Sequence, residues 1–211
     1  MSKIKALLGL NFKSNRDKIF YLVLTALLIA LYIVIDKTLT MVVNPVLKTV
    51  SLNFIPVVVA AIMLGPVASA AVFGLGDMLG SILFPVGAPI ILLWLTSATM
   101  GFVYGVVLYC PYVNKGIYGF SLNKKAKINV LLNIVITVVL TLVGLLFNKL
   151  IISTVFNTLI LASIYGGDNI WGYFLVKAPL RLSKSVVDIV LQTVAIPLII
   201  PVVKKIGQIK R

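Results

Sequence analysis

"FIPVVVAAIMLGPVASAAVFGLGDMLGSILFPVGAPIILLWLTSATMGFVYGVVLYC", residues 54–110, runs for fifty-seven positions with one charged side chain, Asp77. A helix crossing ~30 Å of hydrocarbon needs about 20 apolar residues. Fifty-seven is too many for two spans unless both tilt steeply. Gly65-Pro66 and "FPVGAP" at 84–89 interrupt the run at two places. Proline removes a backbone donor and glycine loosens helical geometry, so the chain reversals belong there and three spans result.

Similar windows lie on either side. "IFYLVLTALLIALYIVI" at 19–35 sits between Lys18 and Asp36, "VLLNIVITVVLTLVGLLF" covers 130–147, and "SVVDIVLQTVAIPLIIPVV" covers 185–203. The last of these is extended back to Pro179, a residue suited to a first helical turn. The stretch 150–176 is ambiguous: its apolar first half reads as a seventh span or as the end of the fifth. Charge decides. Thirteen of the nineteen Lys and Arg fall in three clusters, at residues 3–18, 115–127 and 204–211. Such clusters mark cytoplasmic segments, and six spans put all three on one side where seven do not. The expected fold is therefore an all-α membrane protein of six transmembrane helices with both termini cytoplasmic. It forms a single domain over 1–211, with approximate spans 19–36, 50–65, 67–84, 88–110, 129–150 and 179–203. An outer loop region is placed at 157–176, with Trp171 and Tyr173 at headgroup depth.

Composition excludes several classes. With 61% hydrophobic and 11% charged residues, the chain lies outside the range of soluble domains. Its net charge of +14 follows membrane topology, and no module or aromatic-interleaved basic surface for nucleic acid occurs. The N-terminus lacks an apolar core followed by a small-residue cleavage site, so no removed signal peptide is expected. Cys110, the one cysteine, excludes an internal disulfide. There is no histidine and no Gly-Lys dipeptide, so neither a histidine base nor a nucleotide-cradling Walker loop is present in the sequence.

The ionisable residues inside apolar helices carry the remaining information, because each must face protein or water. In "FLVKAPLRLSKSVVDIVLQT", 174–193, steps of four, three and four place Lys177, Arg181, Lys184 and Asp188 along one side of a helix. The bland readings are snorkelling anchors and an ion pair of Arg181 or Lys184 with Asp188. The functional reading is a basic pocket for an anionic solute, with Arg181 giving two-point recognition of a carboxylate. In "GLGDMLG", Gly76 and Gly80 form one close-packing face, and Ala70 with Gly74 forms another. Asp77 within this segment needs a donor, either a last-helix cation or ring N–H groups of a bound heterocycle. Gly74-Leu75-Gly76-Asp77 also spells the Gly-x-Gly-Asp signature of intramembrane aspartyl proteases. That chemistry needs a second carboxylate, for which Asp36 and Asp188 are available, but the flanking Tyr-Asp and Pro-Ala-Leu motifs are missing. Ala26 and Ala30 form a small-residue face on the first span that suits internal packing or another subunit.

Taken together, "LTALLIALYIVIDK", "VSLNFIPVVVAAIMLGPVASAAVFGLGDMLGSILFPVGAP", "GFVYGVVLY" and "APLRLSKS" resemble the S components of energy-coupling factor (ECF) vitamin transporters, and among them the folate-binding branch. The resemblance implies a non-enzymatic, multi-pass subunit of a bacterial plasma membrane, with no cofactor of its own. Such a subunit captures a vitamin outside and works with a membrane scaffold (T) subunit and two ATPases that use ATP and Mg. It maps the scaffold contact onto Ala26 and Ala30 and an Arg-Leu-x-Lys motif onto Arg181–Lys184. A folate pocket on this chain would set Arg181 and Lys184 against the glutamate tail and Asp77 or Asn53 against the pterin, with Lys177 a further substrate-binding candidate. Phe54, Tyr32 or Trp94 would stack on the ring. After "FPVG" the chain reads "APIILLWLTSATMGFVYG" where the folate branch typically continues Pro-Gly-Phe-Thr, so another heterocyclic vitamin is the alternative. An autonomous secondary transporter, which would show internal repeats, is the reading from a different class.

Overall fold

The computed structural model describes residues 8–10, 12, 14–42, 52–85, 89–109, 127–167 and 169–208. Cys110, Asp168, most of the two basic clusters at 3–18 and 115–127, and residues 43–51 and 86–88 lie outside them. Among the described residues every regular element is helical: α1 (Asn15–Val42), α2 (Phe54–Met63), α3 (Pro66–Leu83), α4 (Ile91–Tyr109), α5 (Lys127–Leu146), a π-helical stretch (Phe147–Phe156), α6 (Asn157–Tyr165) and α7 (Ile170–Gln208). α5, the π-stretch and α6 follow one another without a break. Among the described residues five helices are long and apolar enough to cross a bilayer, and one shorter apolar helix, α2, accompanies them, in keeping with six.

The sixth, α2, has only 10 residues, about 15 Å of helix, or half the hydrocarbon thickness. It fits because it meets little lipid. None of its residues is exposed, and Val57, Val58, Ala60 and Ala61 are fully buried. α1, α3, α4 and α7 all pack on it. Leu64 and Gly65 end the helix by donating from their backbone N–H groups to the Ala60 carbonyl at 2.9 and 3.1 Å. Gly65 then takes φ 100°, a conformation that favours glycine, and Pro66 opens α3 in the first-turn position where its missing N–H costs nothing.

α3 and α4 make the most extensive contact in the bundle, and small residues line it. A methyl group placed on Gly74 would come within 2.7 Å of the Ala98 Cβ, one on Gly101 within 2.9 Å of the Ala70 Cα, and one on Gly105 within 2.8 Å of the Pro66 nitrogen. The Ser69 hydroxyl donates across the seam to the Gly101 carbonyl at 2.7 Å. The second small face of α3 is turned elsewhere. Gly76 lies under the Tyr32 ring and Gly80 under the Lys37 side chain, both on α1.

Two expectations are corrected. The segment 157–176 is not an outer loop: α6 continues the fifth helix to Tyr165, and α7 begins at Ile170 after a short turn. Pro179 consequently lies inside α7 rather than at its start. A proline-interrupted helix is tolerated in a membrane where side chains and neighbours satisfy the freed backbone.

Gly105→Val should overpack the seam and destabilise the chain by at least ~1–3 kcal/mol, whereas Gly80→Ala, whose added methyl group meets the flexible Lys37 side chain at 3.2 Å, should cost far less. Thermal unfolding of the two variants in detergent gives the comparison.

Candidate functional site

Successive helices run antiparallel, so the end of α1, the start of α2, the end of α3, the start of α4, the π–α6 region and the start of α7 converge at one end of the bundle. The polar side chains gather there. From α2, the Asn53 amide donates to the Asp36 carboxylate at 2.9 Å and to the Tyr32 hydroxyl at 3.3 Å, and Lys37 lies 3.4 Å from Asp36. On α3, Asp77 accepts a hydrogen bond from the Ser97 hydroxyl of α4 at 2.9 Å, and Ser81 accepts from the Trp94 indole N–H at 3.0 Å. Thr96, next to Ser97, donates to Asn157 at 2.6 Å. One turn before Asn157, the Ser153 carbonyl accepts from the Arg181 guanidinium at 3.3 Å. These contacts form a polar band across the bundle from α1 to α7, hinged on the Thr96–Ser97 pair.

The inner face of α7 is Arg181, Ser185, Asp188, Gln192 and Ile196, in steps of four, three, four and four. This is a helix phase different from the expected one. Lys177 and Lys184 lie to one side and are exposed, while Arg181 is half-buried and Asp188 is buried. The expected shared face of four charges is therefore two inward and two outward. Asp188 pairs with neither Arg181 nor Lys184. Its partner is Lys149, 2.8 Å away in the π-stretch, with side chains only 12% and 4% exposed. Below this pair the Tyr104 hydroxyl donates to Gln192 at 2.5 Å, and Asn148 donates to the Met100 carbonyl at 3.1 Å.

The aromatic candidates divide. Trp94 is partly open and oriented by Ser81. Tyr32 is 2% exposed, with its ring against Gly76 and 5.6 Å from the Phe73 ring. Phe54 belongs to the core at 2% exposure, so its ring packs protein. Ala26 and Ala30 are exposed on the outer face of α1, flanked by Leu22, Val23, Leu27 and Leu31.

Sequence reasoning missed Lys149, Thr96, Ser97, Ser153 and Asn157. Lys149 carried a usable signal, since it is the one charge between residues 128 and 167. Among the described residues no cluster of three or more Asp, Glu, Cys or His assembles.

A bundle of six apolar helices with a polar band at one end is an architecture for holding a small solute. Its sequence matches the ECF transporter substrate-specific component family over residues 20–200. The chain belongs to that family. No curated protein matches its sequence. As an ECF S component it is an integral membrane protein of the bacterial plasma membrane and a substrate-binding subunit, with ATP hydrolysis residing in partner subunits. The protease reading of Asp77 falls with that assignment. Of its proposed second carboxylates, Asp188 is engaged by Lys149 and Asp36 by Asn53 and Lys37.

Removing one partner of the buried pair leaves a bare charge. Lys149→Met is expected to destabilise the protein by ~3–5 kcal/mol, and the apolar double variant Lys149→Met/Asp188→Leu to recover most of that loss in thermal unfolding.

Proposed function

We propose that this S component captures a heterocyclic vitamin bearing carboxylates, folate being the first candidate, at the outward-facing polar end of the bundle. The observation that carries this reading is Arg181. Its half-buried guanidinium donates to a neutral carbonyl, and the nearest inward acid on its own helix, Asp188, is already neutralised by Lys149. A guanidinium so placed keeps its charge and most of its donors for an incoming carboxylate. Asp77 and Asn53 supply acceptor and amide groups for a ring with N–H and carbonyl edges, and Trp94 supplies a face for stacking. Lys177 and Lys184, exposed beside this face, serve as rim cations that attract the anion before it docks.

In this reading both termini are cytoplasmic, as the basic clusters require. The loaded subunit closes over the vitamin, which desolvates the charge contacts and strengthens them. It then associates through Ala26 and Ala30 with the scaffold subunit of an ATPase module. The small-residue face of α1 supports that contact, because it lets a second helix approach closely. Movement of the loaded subunit then turns the pocket inward, with ATP and Mg used by the two ATPases.

Isothermal titration of the purified chain should register folate binding, and Arg181→Ala should weaken it roughly 10- to 100-fold, the worth of a charge-assisted hydrogen bond or two. Binding of thiamin, riboflavin or pyridoxine in place of folate would assign the pocket to that vitamin instead. Ala26→Trp should leave the titration unchanged and abolish copurification with the scaffold and ATPases. Retained copurification would remove Ala26 from the contact.

A further inference from the structure

The face of α7 that carries Arg181 is fastened to the π-helical stretch at four points, and two of them meet on Lys149. The Lys149 ammonium pairs with Asp188 at 2.8 Å, the Lys149 carbonyl accepts from the Ser185 hydroxyl at 3.3 Å, and the same carbonyl accepts from the Thr154 hydroxyl at 2.8 Å. Thr154 and Ser185 are themselves 3.0 Å apart. Arg181 to Ser153 is the fourth tie, two helical turns above Asp188.

The Thr154 contact spans five residues, the interval of a π turn rather than an α turn. A widened turn holds one more residue than an α turn, so everything beyond it is rotated by ~100° about the axis relative to a plain α-helix. If the stretch returned to α geometry, the Ser153 carbonyl would leave Arg181 and Asn157 would leave Thr96. The polar band would come apart at its α7 side. Four of its apolar side chains, Phe147, Ile151, Val155 and Phe156, are exposed, while Ile152 is buried and Leu150 packs against the core. Its hydrogen-bonded ties to α7 come from polar side chains, and the charged member is the Lys149–Asp188 pair.

We propose that Lys149 and Asp188 are positioning residues for the anion site. Their ion pair fixes the π-helical register that sets the Ser153 carbonyl against Arg181 and so aims the guanidinium. It also neutralises Lys149, leaving Arg181 as the inward-facing cation that meets the carboxylate. A buried pair that could be replaced by apolar side chains without loss of stability is retained here for geometry. This inference rests on the reading of Arg181 as the carboxylate-binding cation.

The test uses the purified full chain titrated with folate and with its dimethyl ester, whose glutamate carboxylates are masked. Lys149→Met/Asp188→Leu keeps the outline of both side chains and removes both charges. It should bind folate at least ~10-fold more weakly, with affinity for the dimethyl ester changed by less than ~2-fold. Adding Arg181→Ala to that variant should cost little more, because the two changes disable one interaction. Reversing the pair, as Lys149→Asp/Asp188→Lys, should restore part of the folate affinity.

Folate binding by the apolar variant at the parental affinity overturns the proposal, as do losses that add in full with Arg181→Ala or an equal loss for folate and its ester. Failure of both the apolar and the reversed variants to fold overturns it too, since the pair is then purely structural. An Arg181→Ala chain that binds folate unchanged is a different result. It removes the carboxylate reading of Arg181 itself, and this inference with it.

Discussion

The close approach of α3 and α4 is the constraint on which the rest of the bundle depends. Helices in hydrocarbon gain nothing by hiding apolar surface from lipid, so they associate where backbones can come near and dispersion and polar contacts accumulate. Gly74, Gly101 and Gly105 remove the side chains that would keep these two helices apart. The same approach brings the Ser97 hydroxyl to Asp77 and the Trp94 indole to Ser81. The opposite small face of α3 receives Tyr32 of α1, which places the Tyr32–Asp36–Asn53 group beside Asp77's helix. A seam made of missing side chains thus decides where the polar ones stand.

The charges inside the bundle follow one rule with two outcomes. Asp188 and Lys149 neutralise each other at depth, where an isolated ion would be costly. Asp36 and Asp77 lie nearer the helix ends, Asp36 held by the Asn53 amide and Lys37 and Asp77 by a hydroxyl that a competing ligand can displace. Arg181 stands between the two regimes, with a carbonyl as its neighbour. The gradient from fixed pair to loosely held groups runs toward the end of the bundle that would receive a solute.

Much of this was legible in the sequence, and the parts that were not share a cause. Helix number, the Gly65–Pro66 reversal and the Gly76/Gly80 face follow from local chemistry: run length, a proline's missing donor, a glycine's missing Cβ. The phase of α7 does not. Arg181 and Asp188 are compatible with a face through 184 or through 185, and only the neighbours of Ser185 and Gln192 decide between them. The π-stretch is invisible for the same reason, since "FNKLIISTVF" has no breaker and its widening is held by side chains thirty to forty residues away. Lys149 stood alone in its span, but its partner could be named only once α7 had been rotated into place. The expected loop at 157–176 failed because a charge argument about sides cannot tell a loop from helix that projects beyond the bilayer.

The brevity of α2 carries a consequence for how the protein meets different membranes. Lipid-facing helices such as α1, with a 24-residue apolar span, must tilt or deform their surroundings when bilayer thickness changes. α2 has no exposed residue and is too short to be gripped at both headgroup layers, so its length is matched to its protein neighbours alone. Asn53, at its head, is therefore carried by an element that mismatch does not load directly. Thickening or thinning of the membrane is absorbed at the periphery of the bundle, while the centre keeps its register.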